Sequence, residues 1–91
     1  MNAIRTDGFK KDFQVLPERI KRRTERALRF LVANLRHPSL RAKKMEGQCD
    51  PEGRDIWEAR VTRAYRFTFV IEGDTCILRR VGPHEDALRN P

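Results

Sequence analysis

The chain has 91 residues, 38% hydrophobic and 36% charged, with 20 Lys+Arg against 13 Asp+Glu and a net charge of +7. That length bounds one small domain, residues 1–91, and its short apolar runs exclude a membrane-spanning helix, which needs about 20 apolar residues. The charge balance points to a polyanionic partner (nucleic acid, an anionic membrane surface or an acidic protein), with plain solubility as the bland alternative.

The opening MNAIRTDGFKKDF is polar and charged, so no signal peptide is expected and the protein reads as cytoplasmic. Residues 3–5 fit a short edge strand. Thr6 and Asp7 are good helix N-caps. After them Phe9, Phe13 and Leu16 share one helical face. Pro17 ends that helix or starts the next. Residues 18–35 form the longest periodic segment. Ile20, Ala27, Leu28, Leu31 and Leu35 turn to the core, and Lys21, Arg22, Arg26 and Arg29 make a basic flank. Two helices joined at a proline predict a helical hairpin.

Pro38 breaks the second helix, leaving His37 as its C-terminal residue. Residues 37–55 then read as a long connection punctuated by Pro38, Gly47, Pro51 and Gly53 and carrying Arg41, Lys43 and Lys44. Connections of that length in a small domain tend to be functional. Two cysteines, Cys49 and Cys76, lack the spacing of a metal pair and read as free thiols. No metal or cofactor is expected.

From Ile56 the pattern alternates. Trp57, Ala59 and Val61 take one face, and Ile56, Glu58 and Arg60 the other. After a turn near residues 62–64, Tyr65, Phe67, Phe69 and Ile71 take one face, and Arg66, Thr68 and Val70 the other. Glu72-Gly73-Asp74 reads as a hairpin turn before a third strand at 75–81. Gly82-Pro83 stops it, and residues from His84 form a helical turn or stay loose. The predicted fold is α+β: an N-terminal helical hairpin packed on one face of a small, mainly antiparallel sheet. The helices cover the face bearing Trp57, Tyr65, Phe67 and Phe69. The opposite face is expected to be open.

On that open face Glu58 and Arg60 lie two apart, Arg66 is on the neighbouring strand, His84 follows the third strand, and Lys43 and Lys44 arrive from the long connection. Metal-free RNA cleavage needs such a set. A base takes the ribose 2′-OH proton, an acid protonates the departing 5′ oxygen, and cations hold the phosphate. Histidine suits either proton role, with an ordinary pKa of about 6.5. Arginine suits phosphate through its planar fork. The bland readings are His84 as a turn residue, Arg60 and Arg66 as a charge ladder with Glu58, Lys43 and Lys44 as solvated lysines, and Trp57 and Tyr65 as core.

The stretches HPSLRAKKMEG and IWEARVTRAYRFTFVIEGDTCILRRVGPHEDAL, with the two-helix region before them, resemble the RelE/ParE superfamily of toxins from type II toxin–antitoxin systems, in particular its RelE-like mRNA interferases. The resemblance implies a toxin that cuts mRNA by 2′-OH attack without a metal, in many members on the ribosome, and so inhibits translation. It also implies a cognate antitoxin, acidic where it binds the toxin. Operator DNA is met only through the toxin–antitoxin complex. Arg66 matches the strand arginine at the scissile phosphate, and His84 a position held by His or Arg. Arg60 matches a frequent strand arginine, and Lys43 and Lys44 match basic residues before the sheet.

The catalytic set implied is His84, Arg66, Arg60 and Glu58, with His84 as acid or base and Glu58 as its proton partner. Lys43, Lys44, Arg41 and Arg80 form the phosphate-binding set. The chain departs from the family at its end, where Ala87, Leu88 and Asn90 supply no aromatic, and at Pro83, where Thr or Lys is frequent. Residues 57–59 also lack the strand lysines of RelE. Two rival functions stay open: a ParE-like toxin that binds DNA gyrase without nuclease activity, and a non-catalytic basic RNA-binding domain.

Overall fold

The computed structural model describes residues 1–91, and its five strands form one sheet in the order β1-β5-β4-β3-β2. β3 (Asp55–Arg60), β4 (Tyr65–Glu72) and β5 (Thr75–Pro83) are the three consecutive antiparallel strands that the alternation predicts. β4 and β5 meet at a two-residue turn in which Gly73 takes φ +59°, the left-handed region that glycine enters without a Cβ penalty. β1 (Asn2–Arg5) takes the outer edge, parallel to β5.

Two helices cover one face. Thr6 caps α1 (Asp7–Gln14): its hydroxyl oxygen accepts the Phe9 N–H at 3.2 Å, and the hydroxyl donates to the Leu78 carbonyl at 2.7 Å. One side chain therefore starts the helix and ties it to β5. The approach is close, since a Cβ on Gly8 would stand 3.3 Å from the Arg79 carbonyl oxygen. Pro17 precedes α2 (Glu18–Ala33), which ends two residues before the apolar periodicity does. Phe9, Leu16, Ile20, Ala27, Leu28 and Leu31 pack against Ala59, Phe67, Phe69, Leu78 and Val81 in one core. Fully burying each large apolar side chain contributes roughly 1.5–3 kcal/mol. Thr24 is fully buried among them, and its hydroxyl donates to the Ile20 carbonyl at 2.8 Å.

Three expectations change. The connection at 37–55 is not structureless, because it contains β2 (Lys43–Cys49), antiparallel to β3. β2 is a polar edge strand with a register shift after Lys44, so it lacks the alternation by which strands are recognised. His37 does not belong to α2. It caps a 3-10 turn, Pro38–Leu40, where its Nδ1 accepts the Ser39 N–H at 3.1 Å and its ring stacks on Phe30 at 3.9 Å. That turn sinks Leu40 fully into the core.

The third change concerns the face opposite the helices, which is only partly open. Ile56, Thr68 and Val70 are buried there, although they stand outside the main core. The segment after β5 forms α3 (His84–Arg89), with Ala87 buried. Beyond it the Pro91 main-chain oxygen accepts from the Thr68 hydroxyl and from Arg79 Nε, both at 3.0 Å. The C-terminal segment thus lies across the middle of this face, leaving the end that bears Arg60, Arg66 and Glu58.

Candidate functional site

The other end of that face, where Glu58, Arg60 and Arg66 are partly buried, is built by strand register. Arg60 at the end of β3 stands directly opposite Arg66 at the start of β4, and Arg66 stands opposite Gly82 on β5. The next row runs Lys43, Glu58, Thr68 and Arg80 across four strands. A bulge at Arg79 makes this second row possible. Thr68 pairs with Arg80 while Phe69 pairs with Leu78, so one residue of β5 is extra. Leu78 and Val81 can then both enter the core, while Arg80 and Gly82 keep the opposite face.

Directly opposed like charges repel, and the structure compensates them sparingly. Glu58 Oε1 lies 4.0 Å from Arg66 Nε, the only carboxylate that near either arginine. Arg66 Nη1 donates instead to the carbonyls of Thr62, Arg63 and Tyr65 at 2.7, 2.9 and 3.2 Å, bracing the β3–β4 turn. Burial, then the charges of Arg60 and Arg41, press the Arg66 pKa below its ordinary value, against the pull of Glu58. It stays charged nonetheless, as arginine does in proteins. Arg60 Nε is buried with no hydrogen-bond partner. Buried donors are rarely left so, and such a group calls for an explanation.

His84 opens α3, exposed, and its main-chain N–H donates to the Ala64 carbonyl at 2.7 Å. Arg66 and His84 are therefore anchored to the same turn, one through a guanidinium and the other through its backbone. Opposite Arg66 in the strand register, a Cβ on Gly82 would meet nothing within 4 Å.

Of the residues expected at the site, Glu58, Arg60, Arg66 and His84 come together at this end of the sheet, with Lys43 in register beside Glu58. Two others are placed differently. Lys44 pairs with Trp57, its Nζ 5.7 Å over the indole and 3.4 Å from Asp55, on the helix-covered side of the strand. Arg80 turns to α1, donating from Nε to Asp12 Oδ2 at 2.7 Å and from Nη2 to Oδ1 at 3.2 Å. The hydrogen bond to Asp12 raises its pKa. Arg41, exposed and in the left-handed conformation at φ +46°, follows the 3-10 turn and lines a cleft with Arg60. Reading the sequence missed Arg23 and Arg63 in that cleft. The spacing of Arg23 and Arg26 on α2 was visible, but the wall opposite them was hidden in the supposed loop.

No family model and no curated relative matches the sequence. Solved structures do match along nearly the whole chain. The RelE of the RelB–RelE antitoxin–toxin complex from Methanococcus jannaschii is 23% identical at a TM-score of 0.73, over 97% of this chain and 99% of that one. The archaeal RelE–RelB complex from Pyrococcus horikoshii gives 20% and 0.71, over 90% and 92%. YafQ from E. coli gives 15% and 0.73, over 93% and 94%. The α+β fold, a helix pair on a five-stranded, mainly antiparallel sheet, is thus one shared with toxins of toxin–antitoxin pairs. The chain has the RelE-like toxin fold.

Proposed function

We propose that this chain is the toxin of a type II toxin–antitoxin pair and that the face around Arg66 cuts mRNA. The observation that carries the reading is the in-register Arg60–Arg66 pair, undercompensated by a single distant carboxylate, with His84 fixed to the same turn. Two adjacent guanidinium groups suit the growing charge of a phosphorane, and preorganised donors of this kind contribute about 10²–10³-fold. The ribose 2′ oxygen attacks phosphorus as its proton leaves. The bond to the 5′ oxygen breaks, and that oxygen takes a proton. His84 serves one of these transfers and Glu58 partners it, and the product is a 2′,3′-cyclic phosphate. The partner is an antitoxin, acidic where it meets this basic surface, and the mRNA is taken in company with the ribosome.

Purified protein incubated with mRNA and chelator, with and without ribosomes, tests this. New 5′-hydroxyl and 2′,3′-cyclic ends are expected, and His84→Ala reduces their rate by about 10²–10⁴-fold. Intact mRNA in both reactions, together with inhibition of DNA gyrase by the same preparation, replaces the nuclease reading with a gyrase-binding one.

A further inference from the structure

A second concentration of arginine lies beside the Arg60–Arg66 pair. A cleft of about 460 Å³ opens between α2, the 3-10 turn and the β3–β4 turn, and Arg23, Arg26, Arg41, Arg60 and Arg63 line it. None of its lining residues is acidic. None of the five arginines has a carboxylate within 4 Å, whereas Arg5, Arg54 and Arg80 all do. Clefts lined by one sign of charge focus their field on an incoming ion of the other sign. Arg60, whose Nε is buried without a partner, lines the same cleft.

The floor of the cleft distinguishes between ligands. Ala27, Leu40 and Val61 already belong to the core and are at most 8% exposed, which leaves Phe30 and Pro38 as the apolar lining in reach of solvent, too little for the repeated anchors of an acidic amphipathic helix. What stays available is flat and cationic. Arg26 sits 5.4 Å over the Phe30 ring, and the same ring stacks on His37 at 3.9 Å. Basic grooves with stacked aromatic and guanidinium planes are the pattern of single-stranded nucleic-acid binding. The volume falls within the roughly 300–1,000 Å³ of sites for ligands of small-molecule size.

We infer that this five-arginine cleft is a second phosphate-binding subsite, which takes the single-stranded RNA backbone flanking the segment held at Arg66. Arg60 joins the two, lying opposite Arg66 on the sheet and lining the cleft. The inference rests on the reading of this face as an RNA-cutting one, but binding alone can test it.

The experiment measures fluorescence anisotropy of a labelled 12-nucleotide single-stranded RNA with 2′-O-methyl riboses, which cannot be cut, across a salt series. The proteins are the wild type and the double variant Arg23→Gln/Arg26→Gln, both changes on the exposed side of α2, with melting curves to show equal folding. Each phosphate contact on a single strand contributes about 0.7 to the slope of log K against log salt. The double variant is expected to lose about 1.4 of that slope and at least tenfold in affinity at low salt. An unchanged slope overturns the subsite, even if cleavage by the wild type is demonstrated separately. Failure of the wild type to bind this RNA overturns it too, as does cleft-dependent binding of poly-glutamate with no RNA binding. A lost slope in a protein that cuts no RNA supports the subsite and counts against the nuclease.

Discussion

Arg80 and Arg60 lie in neighbouring rows on one face of one sheet, and the fold treats them differently. Arg80 faces Thr68 across the strands, and its guanidinium is held by both carboxylate oxygens of Asp12. Arg60 faces another arginine, and its Nε has no partner. Arg54 follows the first pattern, bonded to Asp50 and Glu72 around the β2–β3 turn. Arg23, Arg26, Arg41 and Arg63 resemble Arg60 in having no carboxylate within 4 Å. The excess of positive charge in this chain is therefore not a uniform coating. Paired arginines fasten elements together, and five of the unpaired ones, Arg23, Arg26, Arg41, Arg60 and Arg63, share one cleft at the end of the sheet, where a polyanion would supply the missing charge.

That contrast can be broken in several ways, beginning with the largest effect. Arg66→Ala is expected to lower mRNA cleavage by about 10²–10³-fold, while the melting temperature moves far less than the activity. A collapse of folding with no separate loss of activity would put Arg66 among the structural arginines.

Arg80→Ala is expected to do the reverse. Charge-assisted hydrogen bonds contribute about 1.5–3 kcal/mol, and with 41% of this side chain exposed the loss is discounted to about 1 kcal/mol. In a domain of this size that lowers the melting temperature by about 4–8 °C. If Arg80→Ala weakened RNA binding as much as Arg66→Ala does, Arg80 would be releasing Asp12 to hold phosphate, and the contrast would fail.

Asp50 tests the paired group by pH. Burial by itself raises its carboxyl pKa, but the backbone N–H and guanidinium of Arg54, with the Glu52 N–H, outweigh it and hold the group below its ordinary value of 3.8. A carboxyl depressed in the folded state contributes stability above its unfolded pKa and loses it as pH falls through the folded one. Melting temperature should therefore drop as pH falls through 3.8 and below, and Asp50→Asn should flatten that fall while lowering the plateau near neutrality. An unaltered acid limb in Asp50→Asn would assign the fall to other carboxylates.

The smallest effect belongs to Lys44. Its ion pair with Asp55 leaves both side chains 61% exposed, and such pairs contribute about 0–1 kcal/mol. Lys44→Ala is expected to change melting by about 0–4 °C, from about 0–0.5 kcal/mol for so exposed a pair on a scale of about 4–8 °C per kcal/mol, and to leave the salt slope of RNA binding intact. A slope reduced by about 0.7 would return Lys44 to the phosphate-binding set.

The sequence made the core legible because its signals were local. Alternation placed Phe67 and Phe69 inward and Arg66 outward, and Thr6 marked the start of α1. β2 escaped because Met45 is its only residue that is not exposed, so no alternation announced it. The partial covering of the second face escaped because Thr68, a polar residue, is buried through a bond to Pro91, 23 positions away. The candidate site was legible as residue types and strand faces, which brought Arg60, Arg66, Glu58 and His84 together. The commitment of Arg80 was not, because its partner Asp12 lies 68 positions earlier. Which arginines are free is a property of such distant pairings.

The most direct test of the account is primer extension on a reporter mRNA after this chain is induced in bacteria without any antitoxin, comparing wild type, Arg66→Ala and His84→Ala. The account predicts new 5′ ends within the reading frame, within minutes and before growth stops, and their near disappearance in both variants. Growth arrest with full-length mRNA would contradict it, as would the same cleavage pattern from all three proteins.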